Sequence, residues 1–414
     1  MAALRNWAGN VTFAAREVHR PADEESLRRL VAASSRLRVL GSGHSFSPVA
    51  DTDGDLVVLD QMPADVDLDT ATGVVRVAAG LRYGDVVERL HAAGRALPSM
   101  GSLPHICVAG AAATGTHGSG DGNQVLGASV VGLRLVTADG DVLDVGADDP
   151  RLPGAVVSLG TLGVVTHLDL ATVPTYDLTQ TVLEGLPLDA LDDHLDDVMA
   201  AGYSVSVFTT WGPERRAAVW CKRLVDAEPL PEGWLGTTPA DGARHPVPGE
   251  AADHATQQLG EPGPWFARLP HFRLEFTPSV GEELQSEWLV PRGQAVAALR
   301  AVAGLADLVH PVLAVSELRS IAADGLWLSP AEGRDSLGVH FTWVPDTERV
   351  LPVVEALEEA LAPFAARPHW GKVFRAEPAA VQALYPRLDD FRELRRSLDP
   401  TATFGNAFTA RYVD

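Results

Sequence analysis

Two cysteines, Cys107 and Cys221, are all that this chain of 414 residues carries. Neither stands in a CxxC or a Cys/His cluster, which excludes a disulfide framework and a structural zinc site as organising devices, and no metal is expected. Basic residues are also in deficit. The 33 Lys and Arg stand against 55 Asp and Glu, for a net charge of −22 and a pI near 4.9. A field of that sign repels nucleic-acid phosphates and anionic lipid surfaces, so neither is an expected partner, and it suits a neutral small molecule. Long hydrophobic runs are missing too. No stretch approaches the ~18 consecutive apolar residues of a membrane-spanning helix, and no fixed-period self-similarity suggests a solenoid. The opening MAALRNWAGNVTF lacks a basic region followed by an apolar run and a small-residue cleavage site, so cytoplasmic residence is expected.

What is present is the composition of a folded enzyme: 46% hydrophobic, 21% charged, with 38 glycines. The length exceeds one ordinary core and points to two domains, or one domain split by an insertion. From Val11 to about Leu170 short β-rich runs alternate with helical patterns. Leu37 to Leu40, Leu56 to Leu59, Val74 to Ala78, Val130 to Val136 and Val164 to Leu168 read as strands. EESLRRLVAASS and YGDVVERLHAAG space their apolar residues three and four apart, as amphipathic helices on a sheet do. After VPTYDL the texture changes: a Pro- and Gly-rich run from Pro229 to Pro264 separates the strand-like VSVFTTWG and AAVWCKRL from a strand-like FRLEFTP. HPVLAVSELRSI and LGVHFTWV follow as strands, and LPVVEALEEALAPF reads as a helix beside them. The expected fold class is therefore α+β in two domains, the second built on a mostly antiparallel sheet with helices on one side. The last stretch, WGKVF to FGNAF, carries aromatics that suit packing back onto the first domain.

The sharpest local signal is RVLGSGHSF, where Gly41, Ser42, Gly43, His44 and Ser45 directly follow an apolar strand. Residues this small let successive backbone N–H groups approach a pyrophosphate closely. The run is no Rossmann fingerprint, because the third glycine is missing and a loop and another strand follow where a crossover helix should begin. It is no Walker A loop either, and taken alone it reads equally as a glycine turn with an exposed histidine. A second small-residue run, GSLPHICVAGAAATGTHGSG, sets Gly101, Gly110, Gly115, Gly118 and Gly120 among Ala and Thr, and SLGTLGVVT adds Gly160 and Gly163. Several such runs in one α+β domain are better explained by one large cofactor than by unrelated turns.

In the second domain strand periodicity selects polar residues. Glu317 and Arg319 are two apart in SELRS, as are His340 and Thr342 in VHFTW, so each pair shares one strand face. Gln285 in ELQSEW and Lys372 in HWGKVF add a further polar group and a cation. Individually these residues read as a surface ion pair, a core histidine and a snorkelling lysine. Their apolar neighbours, however, indicate covered strands, where polar groups need partners or ligand hydroxyls.

Together GSGHSF, GSLPHICVAG, ATGTHGSG, SELRS, VHFTWV, HWGKVF and the terminal FGNAF resemble the alditol oxidases, also described as xylitol oxidases, of the vanillyl-alcohol oxidase flavoprotein family. NWAGN, HPVPG, LPHFRLEFTPS and LYPRL fall in the order that family shows, so the resemblance runs nearly end to end. It implies an FAD-binding domain from residues 1–172 and a C-terminal return, 371–414, with a substrate domain, 173–370, inserted between them over the isoalloxazine ring. It implies that His44 carries the FAD covalently. It places further FAD contacts at Gly41, Ser42, Gly43 and Ser45, at Ser102, Cys107, Gly110, Thr114, His117 and Gly118, and at Val164, His369 and Lys372. Where relatives carry Ser, this chain has Cys107, a weaker hydrogen-bond donor. Where they usually have Ala, it has Gly101.

By the same resemblance Ser102, Gln285, Glu317, Arg319, His340, Thr342 and Lys372 form the polyol site, with dioxygen as second substrate and a monomer as the expected state. Hydride transfer needs the alcohol carbon held against the flavin and its hydroxyl proton removed. Lys372 and His340 would bind the reacting hydroxyl, with His340 the better base at neutral pH. Arg319 would favour alkoxide character, and Glu317, Thr342, Ser102 and Gln285 would hold the remaining hydroxyls. Two other readings stay open: an aldonolactone oxidoreductase or related flavin dehydrogenase passing electrons to a quinone or cytochrome, and a non-catalytic carbohydrate-binding protein with a vestigial cofactor domain.

Overall fold

The computed structural model of the chain describes residues 4–276 and 283–414. Residues 1–3 of the N-terminal reading and 277–279 of LPHFRLEFTPS lie outside them. Three short strands, β1 (Glu17–His19), β2 (Leu37–Val39) and β3 (Asp55–Val57), form a parallel sheet in the order β1-β3-β2. Helix α1 (Glu24–Ala33) joins the first two. Its start follows from the sequence: Asp23 accepts from the Ser26 N–H at 2.7 Å and Ser26 Oγ faces the Asp23 N–H, a reciprocal cap, while Leu27 and Val31 bury one face.

Next come β4 (Val66–Asp69), β5 (Val74–Ala78), helix α2 (Tyr83–Ala92), the two-residue β6 (Arg95–Ala96), helix α3 (Val108–Ala113), β7 (Val130–Val136), β8 (Val142–Val145), helix α4 (Leu152–Val156), β9 (Val164–Ala171) and β10 (Val173–Pro174). β6 pairs β10, and the longer strands make a five-stranded antiparallel sheet, β4-β5-β9-β7-β8.

The chain then builds a larger antiparallel sheet from β11 (Asp177–Pro187), β12 (Ser204–Thr209), β13 (Arg216–Leu224), β14 (Thr238–Pro239), β15 (Gly263–Pro264), β16 (Leu284–Pro291), β17 (Leu313–Ile321), β18 (Ser336–Trp343) and β19 (Arg367–Pro368). Its order is β14-β11-β13-β12-β17-β18-β16-β19, with β15 also on β11. Helices α5 (Leu191–Met199), α6 (Ala295–Ala303), α7 (Ala306–Val309) and α8 (Thr347–Leu361) cover one face of this sheet in a single apolar cluster. Alternation along the strands decides what remains on the other face. Leu318, Val339, Phe341, Trp343 and Trp288 point to the helices, which turns Glu317, Arg319, His340, Thr342, Gln285 and Glu287 to the opposite side. Toward the sheet edge Leu289 and Ile321 join the apolar cluster of the first domain, so the polar face is closed by that domain.

The chain returns through α9 (Pro378–Gln382), α10 (Leu388–Leu398) and α11 (Ala407–Tyr412). Trp370, Phe391, Phe408 and Tyr412 insert into the first-domain cluster, and Phe404 packs with Leu27 and Val31 of α1. One expected strand is absent among the described residues. Phe272 to Phe276 of FRLEFTP make a single bridge, Phe272 to Ala255, followed by turn and bend. The bridge rests on the Arg273 N–H to His254 O at 3.0 Å and the Thr256 N–H to His271 O at 2.9 Å, and the ladder goes no further because the His271 N–H donates to Ser102 O at 3.0 Å. Among the described residues no single helix is long and apolar enough to cross a membrane.

Candidate active site

A cavity of about 1310 Å³ separates the first-domain loops from the bare face of the large sheet. That exceeds the ~300–1,000 Å³ of ordinary small-ligand sites and leaves room for an extended cofactor with a substrate beside it. On the first-domain side it is lined by Gly41 to Ser47, by Gly101, Ser102, Cys107, Gly110, Thr114 and His117, and by Ser158 to Gly160, Gly163 and Val165.

The glycine loop after β2 is held from outside. The Trp7 N–H donates to Gly43 O at 2.8 Å, Asn6 Nδ2 to Ser45 O at 2.9 Å, Asn10 Nδ2 to Phe46 O at 2.8 Å and Ser47 Oγ to Trp370 O at 2.6 Å. Among the described residues the N–H groups of Gly43, His44 and Ser45 meet no protein acceptor, the arrangement that receives an anion. Gly43 sits at φ +70°, open to glycine at no cost. His44 stacks on Trp7 with ring centroids 5.1 Å apart. Its Nδ1 is buried without a partner. Burial, with His105 nearby, lowers its pKa to about 4, so the ring is neutral at neutral pH. The neighbouring loop meets this one where the Cys107 N–H donates to Ser42 Oγ at 3.1 Å. The Cys107 thiol faces Gly80 O instead, and burial raises its pKa.

Arg38 of β2, which no local sequence pattern marks, locks these loops together. Its buried guanidinium donates to Leu159 O and Phe404 O at 2.6 Å, to Gly160 O at 3.0 Å and to Val49 O. All four acceptors are carbonyls, and burial lowers the Arg38 pKa to about 10. Two expected cofactor residues stand back from the cavity. The Val164 side chain packs with Leu27 and Val31, leaving Gly163 and Val165 at the wall. Gly118 is a close-packing position: a Cβ there would lie 2.4 Å from Met100 O. At Gly101 a Cβ would meet Ile106 Cδ1 at 3.5 Å, an ordinary contact.

On the sheet side the strand registers align Glu317, His340 and Glu287 in one row across β17, β18 and β16, with Thr342 and Gln285 paired in the next. Lys372 arrives on a segment that extends β19 along β16. The His369 N–H donates to Glu287 O at 2.9 Å and the Val373 N–H to Gln285 O at 2.8 Å. Lys372 Nζ then lies 2.6 Å from His340 Nδ1 and 2.7 Å from Glu287 Oε2. His340 Nε2 is 3.1 Å from Thr342 Oγ1. Arg319 donates to Glu287 Oε1 at 2.7 Å, lies 3.6 Å from Glu317 Oε2 and reaches across the cavity to within 3.5 Å of Ser102 Oγ. All seven residues expected at the polyol site line this one cavity.

The electrostatics follow from burial and pairing. Burial pushes both carboxylates up, but Arg319, helped by Lys372 at Glu287 and by His271 at Glu317, holds both well below the usual range. Burial lowers Lys372 as well, and Glu287 opposes the fall. His340 is pushed down to about 4 by burial and then by Lys372. At neutral pH the imidazole is therefore neutral, and its Nδ1 faces Lys372.

Three residues of this network carried no signal that was read: Glu287, His271 and Lys222. His271 Nε2 meets Glu317 Oε1 at 2.8 Å, its Nδ1 lies 3.2 Å from Lys222 Nζ, and Lys222 also donates to Leu269 O. Burial lowers Lys222 to about 7 and, together with Lys222, lowers His271 to about 4. Glu287 stands two residues beyond Gln285, the same alternation that selected the other pairs. His117, Glu287 and His369 bring ligand atoms within 4.8 Å of one another. Glu287 already carries two cations, however, and a metal ion there would face both.

Two family models match the sequence, an FAD binding domain over residues 15–146 and D-arabinono-1,4-lactone oxidase over residues 281–412. The chain is 52% identical to an alditol oxidase of Streptomyces sp., covering 100% of this chain and 99% of that protein. It is 31% identical to an L-gulono-1,4-lactone dehydrogenase of Mycobacterium tuberculosis, covering 99% and 98%. Among solved structures, cholesterol oxidase from B. sterolicum superposes with a TM-score of 0.79 at 13% identity, covering 100% of this chain and 96% of the other. Xylooligosaccharide oxidase from Myceliophthora thermophila C1 in complex with xylobiose superposes with a TM-score of 0.77 at 14% identity, covering 99% and 94%. At those identities the two structures speak for the fold.

Proposed function

Because the chain belongs to the alditol oxidase family, we propose that it oxidises the primary alcohol of a small polyol of the xylitol, sorbitol or glycerol type, with FAD as cofactor and dioxygen as acceptor, and releases the aldose and hydrogen peroxide. The observation that carries this reading is the row Glu317, His340, Glu287, with Lys372 against His340, facing the glycine loop across one cavity. When bound, FAD supplies the two-electron acceptor for the alcohol's hydride. The free N–H groups from Gly43 to Ser45 and the loop from Cys107 to Thr114 fit its extended, anionic body. His44 is the residue of covalent attachment in this reading, since it lines the cavity beside the glycine loop with a buried, neutral ring whose Nδ1 has no protein partner.

The reacting hydroxyl passes its proton to the neutral imidazole of His340 at Nδ1, displacing the contact with Lys372, while Nε2 meets Thr342 Oγ1 and the Lys372 ammonium stabilises the alkoxide that forms. Arg319 remains protonated and favours alkoxide character at the substrate. Glu317 is a fixed acceptor, held by His271, and with Thr342, Gln285 and Ser102 it binds the other hydroxyls of the chain. A plain alcohol leaves those buried groups unpaired and is disfavoured.

The test is to denature the purified protein, view flavin fluorescence in the gel band, and follow peroxide from the native sample given xylitol. Fluorescence with peroxide supports a covalent polyol oxidase, and loss of fluorescence in His44→Ala assigns the attachment. Fluorescence without peroxide moves the function to a dehydrogenase, and a flavin-free protein overturns the reading.

A further inference from the structure

Glu287 is fully buried, yet none of the expected site residues explains it. Its side chain has no solvent exposure and meets two cations at 2.7 Å each, Arg319 through Oε1 and Lys372 through Oε2. Its backbone carbonyl accepts from His369, so the chain that carries Lys372 is hydrogen-bonded to the strand that carries Glu287. The space for this pairing is made by Gly338 of β18, where a Cβ would come within 3.0 Å of Glu287 Oε1 and 3.5 Å of His117 Cε1. A buried carboxylate is tolerated only when paired and hydrogen-bonded, and here both partners are groups that line the cavity.

We propose that Glu287 is a positioning residue for the oxidation: one buried anion that holds Lys372 against His340 and Arg319 beside Ser102, keeping the amine charged and aimed. This rests on the polyol-oxidase reading for its consequence in catalysis. The geometric claim is independent of substrate. Among the described residues, the charged and titratable groups that face the amine or its partners include Glu287 of β16, His340 of β18, Arg319 and Glu317 of β17, and His369 on its own segment, with His117 behind Glu287. Arg319 repels the Lys372 charge and Glu287 offsets that repulsion.

The sequence supplies a second line of argument. Lys222 and Lys372 are its only lysines, every other basic position being arginine, and both lie in this network. An amine is compact and shifts its pKa readily when buried, whereas a guanidinium does not. Keeping lysine at position 372 suits a group whose charge is set by its neighbour.

Two lysines also make the test clean. Selective ¹³Cε-lysine labelling of the flavin-loaded protein gives two side-chain resonances, assigned with Lys222→Met, and each titrates separately. In Glu287→Gln the Lys372 signal is expected to titrate at lower pH than in the wild type while the Lys222 signal is unmoved. The kcat with xylitol falls about 100-fold, within the range of general acid–base effects. KM changes less than about fivefold, and the alkaline limb of kcat/KM moves to lower pH. In a Lys372→Met background the same substitution costs little more, since coupled residues are not additive. If Glu287→Gln fails to fold or load flavin, Glu287→Asp keeps the charge, and its Lys372 titration should stay near wild type while kcat falls. An unshifted Lys372 resonance in Glu287→Gln, a shifted one in Glu287→Asp, or multiplicative losses in the double variant overturns the proposal. Absence of xylitol turnover in the wild type sinks the polyol reading instead, and the resonances still decide the role of Glu287.

Discussion

Two buried carboxylates flank His340 and share Arg319, but their other partners differ. Glu287 spends both oxygens on cations, Arg319 and Lys372. Glu317 meets Arg319 less closely, at 3.6 Å, and is otherwise held by His271, with Lys222 behind it. The first is saturated and can only organise its neighbours. The second keeps acceptor capacity for ligand hydroxyls. The comparison separates the half of the sheet face that moves a proton from the half that grips the rest of the polyol, although both are built from the same residue types on the same three strands.

The sharpest way to break that division is to remove each lysine in turn. Lys372→Met should lower kcat by about 10³-fold with flavin content unchanged, in the range of general acid–base catalysis, and steady-state kinetics with xylitol reads it directly. Glu317→Gln weakens a charged acceptor and should cost about 2 kcal/mol, roughly 30-fold, in kcat/KM, mostly through KM. Equal losses of kcat and kcat/KM would place Glu317 with the proton-moving half. Gly338→Ala introduces a methyl against Glu287 Oε1 and should lower kcat by about tenfold, a displacement effect of modest size. Lys222→Met acts on Glu317 only through His271 and should raise KM about fivefold, the worth of one hydrogen bond.

Lys222 makes a second prediction, in stability. Its folded pKa is lowered from 10.5 to about 7, so between those values the unfolded chain binds the extra proton and stability rises with pH through about 7 to 10.5. Lys222→Met should flatten denaturation midpoints measured across that window. The buried neutral histidines act at lower pH. His44, His271 and His340 are lowered from 6.5 to about 4, so their contribution is lost as pH falls from about 6.5 toward 4.

The two halves of the site also differed in how far the sequence exposed them. Glycine runs and i, i+2 polar pairs are local patterns, and they revealed the cofactor loops and the faces of β17 and β18. Glu287 obeys the same alternation in ELQSEW but looks like any surface glutamate until the strand is known to be covered. His271 was hidden because it directly precedes FRLEFTP, a run with the composition of a strand, whereas the segment makes only one bridge and the His271 N–H bonds to Ser102 O. Lys222 sits in AAVWCKRL beside Arg223, where charged residues at the end of an apolar strand read as exposed positions. Arg38 links carbonyls from distant parts of the chain, 49, 159, 160 and 404, contacts that no local pattern encodes. The alternation of β9 turns the Val164 side chain away from the cavity and Val165 toward it, a difference of one residue in facing.

The most direct test of the whole account is to mix the oxidised protein anaerobically with xylitol or with 1-butanol, follow the flavin absorbance, and then admit dioxygen. The account predicts rapid bleaching with xylitol, much slower bleaching with butanol, and recovery of colour with one peroxide per flavin. Equal bleaching by both alcohols, or none by xylitol, would contradict it.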